Sequence, residues 1–278
     1  MRIKQILVSA GVIVGTLMAG STFASAASNS VSASKSSTVD TTPAATVTNP
    51  YAYFKAQKTV KVPLSGTDQT VKIKKNTIVP GYVFQDAFRT QLSIRLNLSS
   101  LSYQTRKSWG KISNNTNWQQ SGATEQASSF VAVAAPQQML FTKVNDLPLT
   151  GMFYVGTKAN ANGTTKLKSR LVITTDGYIE RYYDAYPRMS FKPMATAKIN
   201  KVVSKGSVEY LYYAKHIKGV KDKHVAKSGK TQYQLTIKNL NKSTSTKVTI
   251  DNDTFNQTYS VFTFGTQKYF TLANQVIL

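Results

Sequence analysis

The chain lacks cysteine altogether, and its 278 residues include only 12 acidic side chains, two histidines and two tryptophans. Without a thiol there is no disulfide framework, no zinc site built on thiolates and no cysteine nucleophile. Packing must hold the fold together, and a hydrophobic content of 41% is enough for a sizeable core. The shortage of acids has the larger consequence, because 35 basic residues face them and the formal net charge reaches +23. A field of that sign concentrates polyanions and bears on partners and solubility, not on fold. Imidazole chemistry is confined to His216 and His224, whose spacing of eight does not match the HExxH pair on one helix face. The lysines around them disfavour a bound cation. No G-x-S-x-G elbow, P-loop or dinucleotide fingerprint occurs, and neither a metal nor a cofactor is expected.

The only long apolar stretch is at the start. Arg2 and Lys4 form a positive region, residues 6–18 are apolar or small, and Ala24-Ser25-Ala26 is an A-x-A cleavage signature. The apolar run falls short of the ~20 residues that span a bilayer. Residues 1–26 are therefore expected to be a secretory signal, and its removal leaves a net charge of +21. With no LPxTG-like sorting sequence near Leu278 and no cysteine to lipidate, retention at a cell surface is expected to be non-covalent. Residues 27–50 are rich in Ser, Thr and Ala and cannot bury enough surface to offset chain entropy, so a flexible linker is expected there. The aromatic cluster Tyr51, Tyr53 and Phe54 marks the start of folded structure.

From there the periodicity is that of strands. Residues 59–62 and 71–74 alternate around Gly66-Thr67-Asp68, while Pro80-Gly81 punctuates the runs 77–79 and 82–84. Leu92, Ile94, Leu96 and Leu98 give the cleanest period-2 pattern and predict a half-buried strand. Residues 100–109 fit a short helix or a continued strand, 114–122 read as loop, and 124–138 fit a short helix or a buried strand. Asp176-Gly177 between the β-rich runs 171–175 and 178–183 predicts a two-residue type I′ hairpin. A second hairpin joins 198–203 to 207–214 around Lys205-Gly206, and further strands fit 233–238, 246–250, 259–264 and 268–272. Asp251-Asn252-Asp253 reads as a turn, since the rest of a calcium loop is missing. The expected product is mostly β, an antiparallel sandwich or small barrels with few short helices. Residues 51–197 form a β-rich region and 198–278 a lysine-rich one, as one domain or two.

Charge is concentrated in the second region, where residues 198–247 hold twelve lysines against Glu209 and Asp222, a net of +10. Lys215, Lys218, Lys221, Lys223, Lys227 and Lys230 fall in a Gly-containing stretch that reads as a loop, and they are the candidate polyanion contacts. The pairs Tyr182-Tyr183 and Tyr212-Tyr213 put one ring on each side of a strand, making them candidate saccharide or peptide contacts. Glycoside hydrolysis needs only two facing carboxyl groups, and Asp176, Glu180 and Asp184 are the best local candidates. Asp176 already serves the turn, however, and Glu180 and Arg181 occupy strand positions where charges normally meet solvent.

Two short stretches resemble the surface-layer-type wall-binding modules of secreted proteins from lactobacilli and related Gram-positive bacteria. Lys72-Ile73-Lys74-Lys75-Asn76-Thr77-Ile78-Val79 is similar to their K-x-K-K-G-T-x-V segment, with Asn76 at the usual glycine, and Gly265 with residues 266–272 is similar to their closing strand. The resemblance implies SH3-like barrels and non-covalent wall attachment, and it does not imply catalysis. The reading that follows is a secreted, cationic surface protein bound to anionic wall polymers such as teichoic acid, in a structural or adhesive role. Acidic host glycans are further candidate partners, and nucleic acid is not expected as a physiological one. The alternatives are a secreted envelope glycoside hydrolase using paired carboxylates, or a cationic membrane-active factor.

Overall fold

A computed structural model describes residues 42–43, 51–65, 68–85, 92–109, 121–124, 127–142, 152–155, 169–183, 190, 192–250 and 253–277. All of them belong to one compact unit, Val39–Leu278. The expected leader, most of the expected linker, Asp184 and Asp251-Asn252 lie outside the described residues. The protein is mostly β with antiparallel sheets, as the alternation predicts.

The first half builds an open sheet. Its strands are β1 (Thr42–Pro43), β2 (Tyr51–Ala56), β5 (Ile78–Gln85), β6 (Leu92–Asn97), β7 (Ser121–Thr124) and β8 (Phe130–Val133), in the order β1-β8-β2-β5-β6-β7. A hairpin of β3 (Val60–Pro63) and β4 (Thr70–Ile73) packs its apolar face, Val60, Val62, Val71 and Ile73, against Phe54, Val79, Ile94 and Leu96 of the sheet. The period-2 patterns thus mark the core face directly. Pro80-Gly81 does not interrupt β5, contrary to the expectation. Gly81 lies opposite Leu96, where a Cβ would collide with the Arg95 carbonyl, so the glycine admits a close neighbouring backbone. Residues 100–109 resolve as the short helix α1 (Tyr103–Arg106) and a following 3₁₀ turn.

The second half closes on itself. In chain order β9 (Met152–Val155), β10 (Arg170–Ile173), β11 (Tyr178–Tyr182), β12 (Ala195–Lys205), β13 (Val208–Tyr213), β15 (Tyr233–Ile250), β16 (Asp253–Phe264) and β17 (Gln267–Ile277) each pair antiparallel with the next. Tyr269 opposite Val155 and Phe270 opposite Tyr154 then join β17 back to β9. The result is an up-and-down ring of eight strands, with the short β14 (Lys223–His224) alongside β15. A boundary at residues 197/198 falls inside β12. Beyond a bulge between Asn239 and Lys242, strands β15, β16 and β17 continue past the ring as a three-stranded arm.

Side chains fill the ring. Phe153, Leu171, Ile173, Ile179, Leu211, Leu235, Ile237, Phe262, Phe264 and Tyr269 form one buried cluster, with Phe153 edge-on to Phe262 and Phe264 at centroid distances of 5.2 and 4.9 Å. Tyr53, Ile78 and Val133 of the open sheet join that cluster from outside. The β10–β11 turn is not type I′. Gly177 donates to the Thr174 carbonyl at 3.0 Å and has a φ of +81°, whereas Asp176 is not among the described residues with positive φ. A turn closed by a left-handed glycine suits Asp-Gly equally well. Truncating the central ring in Phe262→Ala is expected to cost about 3–5 kcal/mol, read from urea unfolding.

Candidate functional site

The connection from β13 to β15 carries all six lysines singled out by the sequence, and Lys215, Lys218, Lys221, Lys223, Lys227 and Lys230 are all exposed. The connection is a folded cap. Ile217 and Val220 are buried in the ring cluster, which anchors the chain across that end. Arg181 donates from Nη1 to the Lys218 carbonyl at 2.8 Å, tying the cap to β11. Asp222 organises the centre, with its side chain 2% exposed. It accepts from the Tyr213 hydroxyl at 2.6 Å and the Ile217 amide at 3.3 Å, and its Oδ1 lies 2.6 Å from His216 Nδ1. The carboxylate therefore fixes the His216 ring and favours a proton on Nδ1. His224 and His216 both lie against Tyr233, at centroid distances of 5.0 and 5.7 Å. Burial, together with the Asp222 carboxylate, pushes the Tyr213 hydroxyl well above the usual phenol range.

The tyrosine pairs divide by face. Tyr183 is 53% exposed, and Tyr212 is half-buried with its hydroxyl accepting from Gln234 Nε2 at 2.6 Å. Tyr182 and Tyr213, proposed from sequence as saccharide contacts, are 1% and 0% exposed. A ring enclosed by protein has no face to offer a ligand, so those two assignments are corrected to packing roles.

The candidate carboxylate pair is likewise engaged within the fold. Asp176 Oδ1 accepts from the Ser102 amide at 2.9 Å, and Oδ2 accepts from the Ser102 and Thr105 hydroxyls at 2.6 and 2.7 Å. Glu180 Oε1 accepts from the Tyr103 amide at 2.6 Å, and Oε2 from the Tyr182 hydroxyl at 2.6 Å. Arg106 donates to that same hydroxyl at 2.8 Å and to the Leu101 carbonyl at 2.9 Å. Both acids thus hold the first amides of α1. Glu180 is 1% exposed, against the expectation of a solvated strand position. Burial pushes its carboxyl above the usual range, against the opposing pull of Tyr182 and Arg106.

Glu209 escaped the sequence reading, which counted it only as a charge. Alternation places it with Leu211 and Tyr213 on the inner face of β13, 3% exposed, and its Oε1 has no hydrogen-bond partner. Burial pushes its carboxyl up to about 8. The signal was present in the strand period, but a lone acid in a lysine-rich window looks like a surface residue.

Comparison with family models, curated proteins and solved structures returns no match. Among the described residues no group of three or more His, Cys, Asp or Glu is placed to hold a metal ion.

Two outcomes follow from these buried acids. Glu180→Ala removes the acceptor of the Tyr103 amide and the Tyr182 hydroxyl and the carboxylate beside Arg106, and is expected to cost about 3–5 kcal/mol in urea unfolding. For Glu209 the folded carboxyl holds its proton more tightly than the unfolded one, so stability is full below the ordinary value of 4.5 and falls as pH rises towards about 8. Glu209→Gln removes that slope. Its stability relative to the parent is expected to rise by about 2–4 kcal/mol across this window, and parallel pH profiles would refute the assignment.

Proposed function

We propose that the chain is a secreted, highly cationic surface protein that attaches non-covalently to anionic polymers of the Gram-positive envelope, in a structural or adhesive role. The observation that carries this reading is the cap over the ring. Its six lysines are exposed, and its sole acid, Asp222, is turned inward onto Tyr213, His216 and Ile217. None of the six ammonium groups has an ion-pair partner among the described residues. Such a surface offers mobile point charges on a fixed support, which suits a flexible polyphosphate such as teichoic acid better than a ligand of defined shape. The resemblance of residues 72–79 and 265–272 to wall-binding modules supports the same partner. Asp176 and Glu180 have every carboxylate oxygen committed to protein donors, which favours a binding protein over the hydrolase alternative.

The test is sedimentation of the purified protein with cell walls, before and after removal of teichoic acid, over a salt series. Retention is expected to drop at least about tenfold on stripping and again with added salt, as counterion release requires. Replacing the six cap lysines by glutamine should reproduce the loss without shifting the thermal midpoint. Unchanged retention on stripped walls would overturn polyanion attachment and point to glycan or peptide recognition.

A further inference from the structure

In an up-and-down ring, β11, β13 and β16 end where β12, β15 and β17 begin, so their connections share one end. The lysine cap lies at that end. So do Tyr183, which follows β11, Met194, whose amide donates to the Arg181 carbonyl just before β12, and Val225, whose amide donates to the Gln232 carbonyl just before β15. Those three are the large apolar side chains that stand exposed among the described residues, at 53%, 61% and 42%. The exposed lysines Lys192 and Lys268 flank the same end. All of the large exposed apolar side chains among the described residues thus fall at one end of the ring, beside exposed lysines, which gives that end both apolar and cationic character.

We propose that this end of the ring docks on an anionic lipid bilayer. The cap lysines draw it to the headgroups, and Tyr183, Met194 and Val225 enter the interfacial layer. Charge complementarity specifies an anionic partner, and the apolar trio specifies one with a non-aqueous phase. A hydrated polyphosphate chain offers those side chains nothing, whereas a bilayer interface buries them, and tyrosine is at home at that depth. Long lysine stems suit the arrangement, because they lie along the apolar boundary while their charges reach phosphate. The proposal uses the same lysines as polymer attachment and goes beyond it in assigning a second surface and a second set of side chains.

The experiment measures co-sedimentation of the purified protein with phosphatidylcholine vesicles, with and without phosphatidylglycerol, beside the wall assay. The variants are the parent and the triple substitution Tyr183→Ser, Met194→Ser, Val225→Ser. All three positions are exposed, and equal thermal midpoints establish that the variant folds. The parent is expected to bind only vesicles containing phosphatidylglycerol, and the triple variant to bind them about tenfold more weakly while keeping its wall retention. Equal vesicle binding by parent and variant would overturn the proposal, because lysines alone would then suffice. Wall retention without vesicle binding would overturn it too, leaving polymer attachment intact. Failure in both assays would remove both readings.

Discussion

Closure of the ring at β9 and β17 is the constraint on which the second half of the molecule depends. Every other junction between neighbouring ring strands joins consecutive elements, apart from the small β14, but this one brings Val155 and Tyr154 to Tyr269 and Phe270. An open meander of the same strands would present two unpaired edges and an apolar face. Joining the ends removes both edges and surrounds Phe153 with Phe262 and Phe264, while Tyr269 meets Phe264 at 4.4 Å. The antiparallel alternation of the same strands sets which connections share an end, and so places the lysine cap, Tyr183, Met194 and Val225 at one end of the ring.

The placement of four acids leaves the lysines of the cap without acidic neighbours at the surface. Asp176 and Glu180 are used to hold α1, Asp222 to hold the cap, and Glu209 is enclosed on the inner face of β13. With its carboxyl pushed up to about 8, Glu209 is mostly uncharged near neutrality and does not offset its lysine neighbours. Composition alone gives a net charge, but the fold sorts part of it, turning Asp176, Glu180, Glu209 and Asp222 into the structure while Lys215, Lys218, Lys221, Lys223, Lys227 and Lys230 stand exposed. Exposed positive charge of this kind raises the local potential for anions, and apart from Glu209 the named residues of the ring cluster are apolar or aromatic.

Much of the strand inventory was legible in the sequence because period-2 alternation and Gly-bearing turns are local signals. The runs at 60–63, 70–73, 92–97, 208–213 and 259–264 sit where the pattern places them. Closure was not legible, since it rests on two register pairs between segments more than a hundred residues apart. Local rules also misjudged positions where tertiary contact overrides them. Pro80-Gly81 is a turn signal that here passes through a strand, and Glu180 is a strand charge that finds buried partners across the fold. Asn76 was noted as a departure from glycine in the wall-module resemblance, yet its φ of +68° lies in the region that asparagine tolerates best after glycine. The lysine loop was recognised by composition alone, whereas its rigidity comes from Ile217, Val220 and Asp222, whose roles need the ring to be in place.

The contacts of α1 carry a consequence for how the molecule comes apart. The donors Ser102, Tyr103 and Arg106 precede their acceptors Asp176, Glu180 and Tyr182 by 74 to 77 residues. Unfolding the open sheet would uncover Asp176 and Glu180 to water, and unfolding the ring would bare the first amides of the helix. Separating the halves exchanges these hydrogen bonds for water and uncovers the contact of Tyr53, Ile78 and Val133 with the ring cluster, so each half stabilises the other. Limited proteolysis should accordingly find no stable fragment bounded by the seam between the two sheets, and excising the lysine-rich half as an independent module would remove the support on which its shape relies.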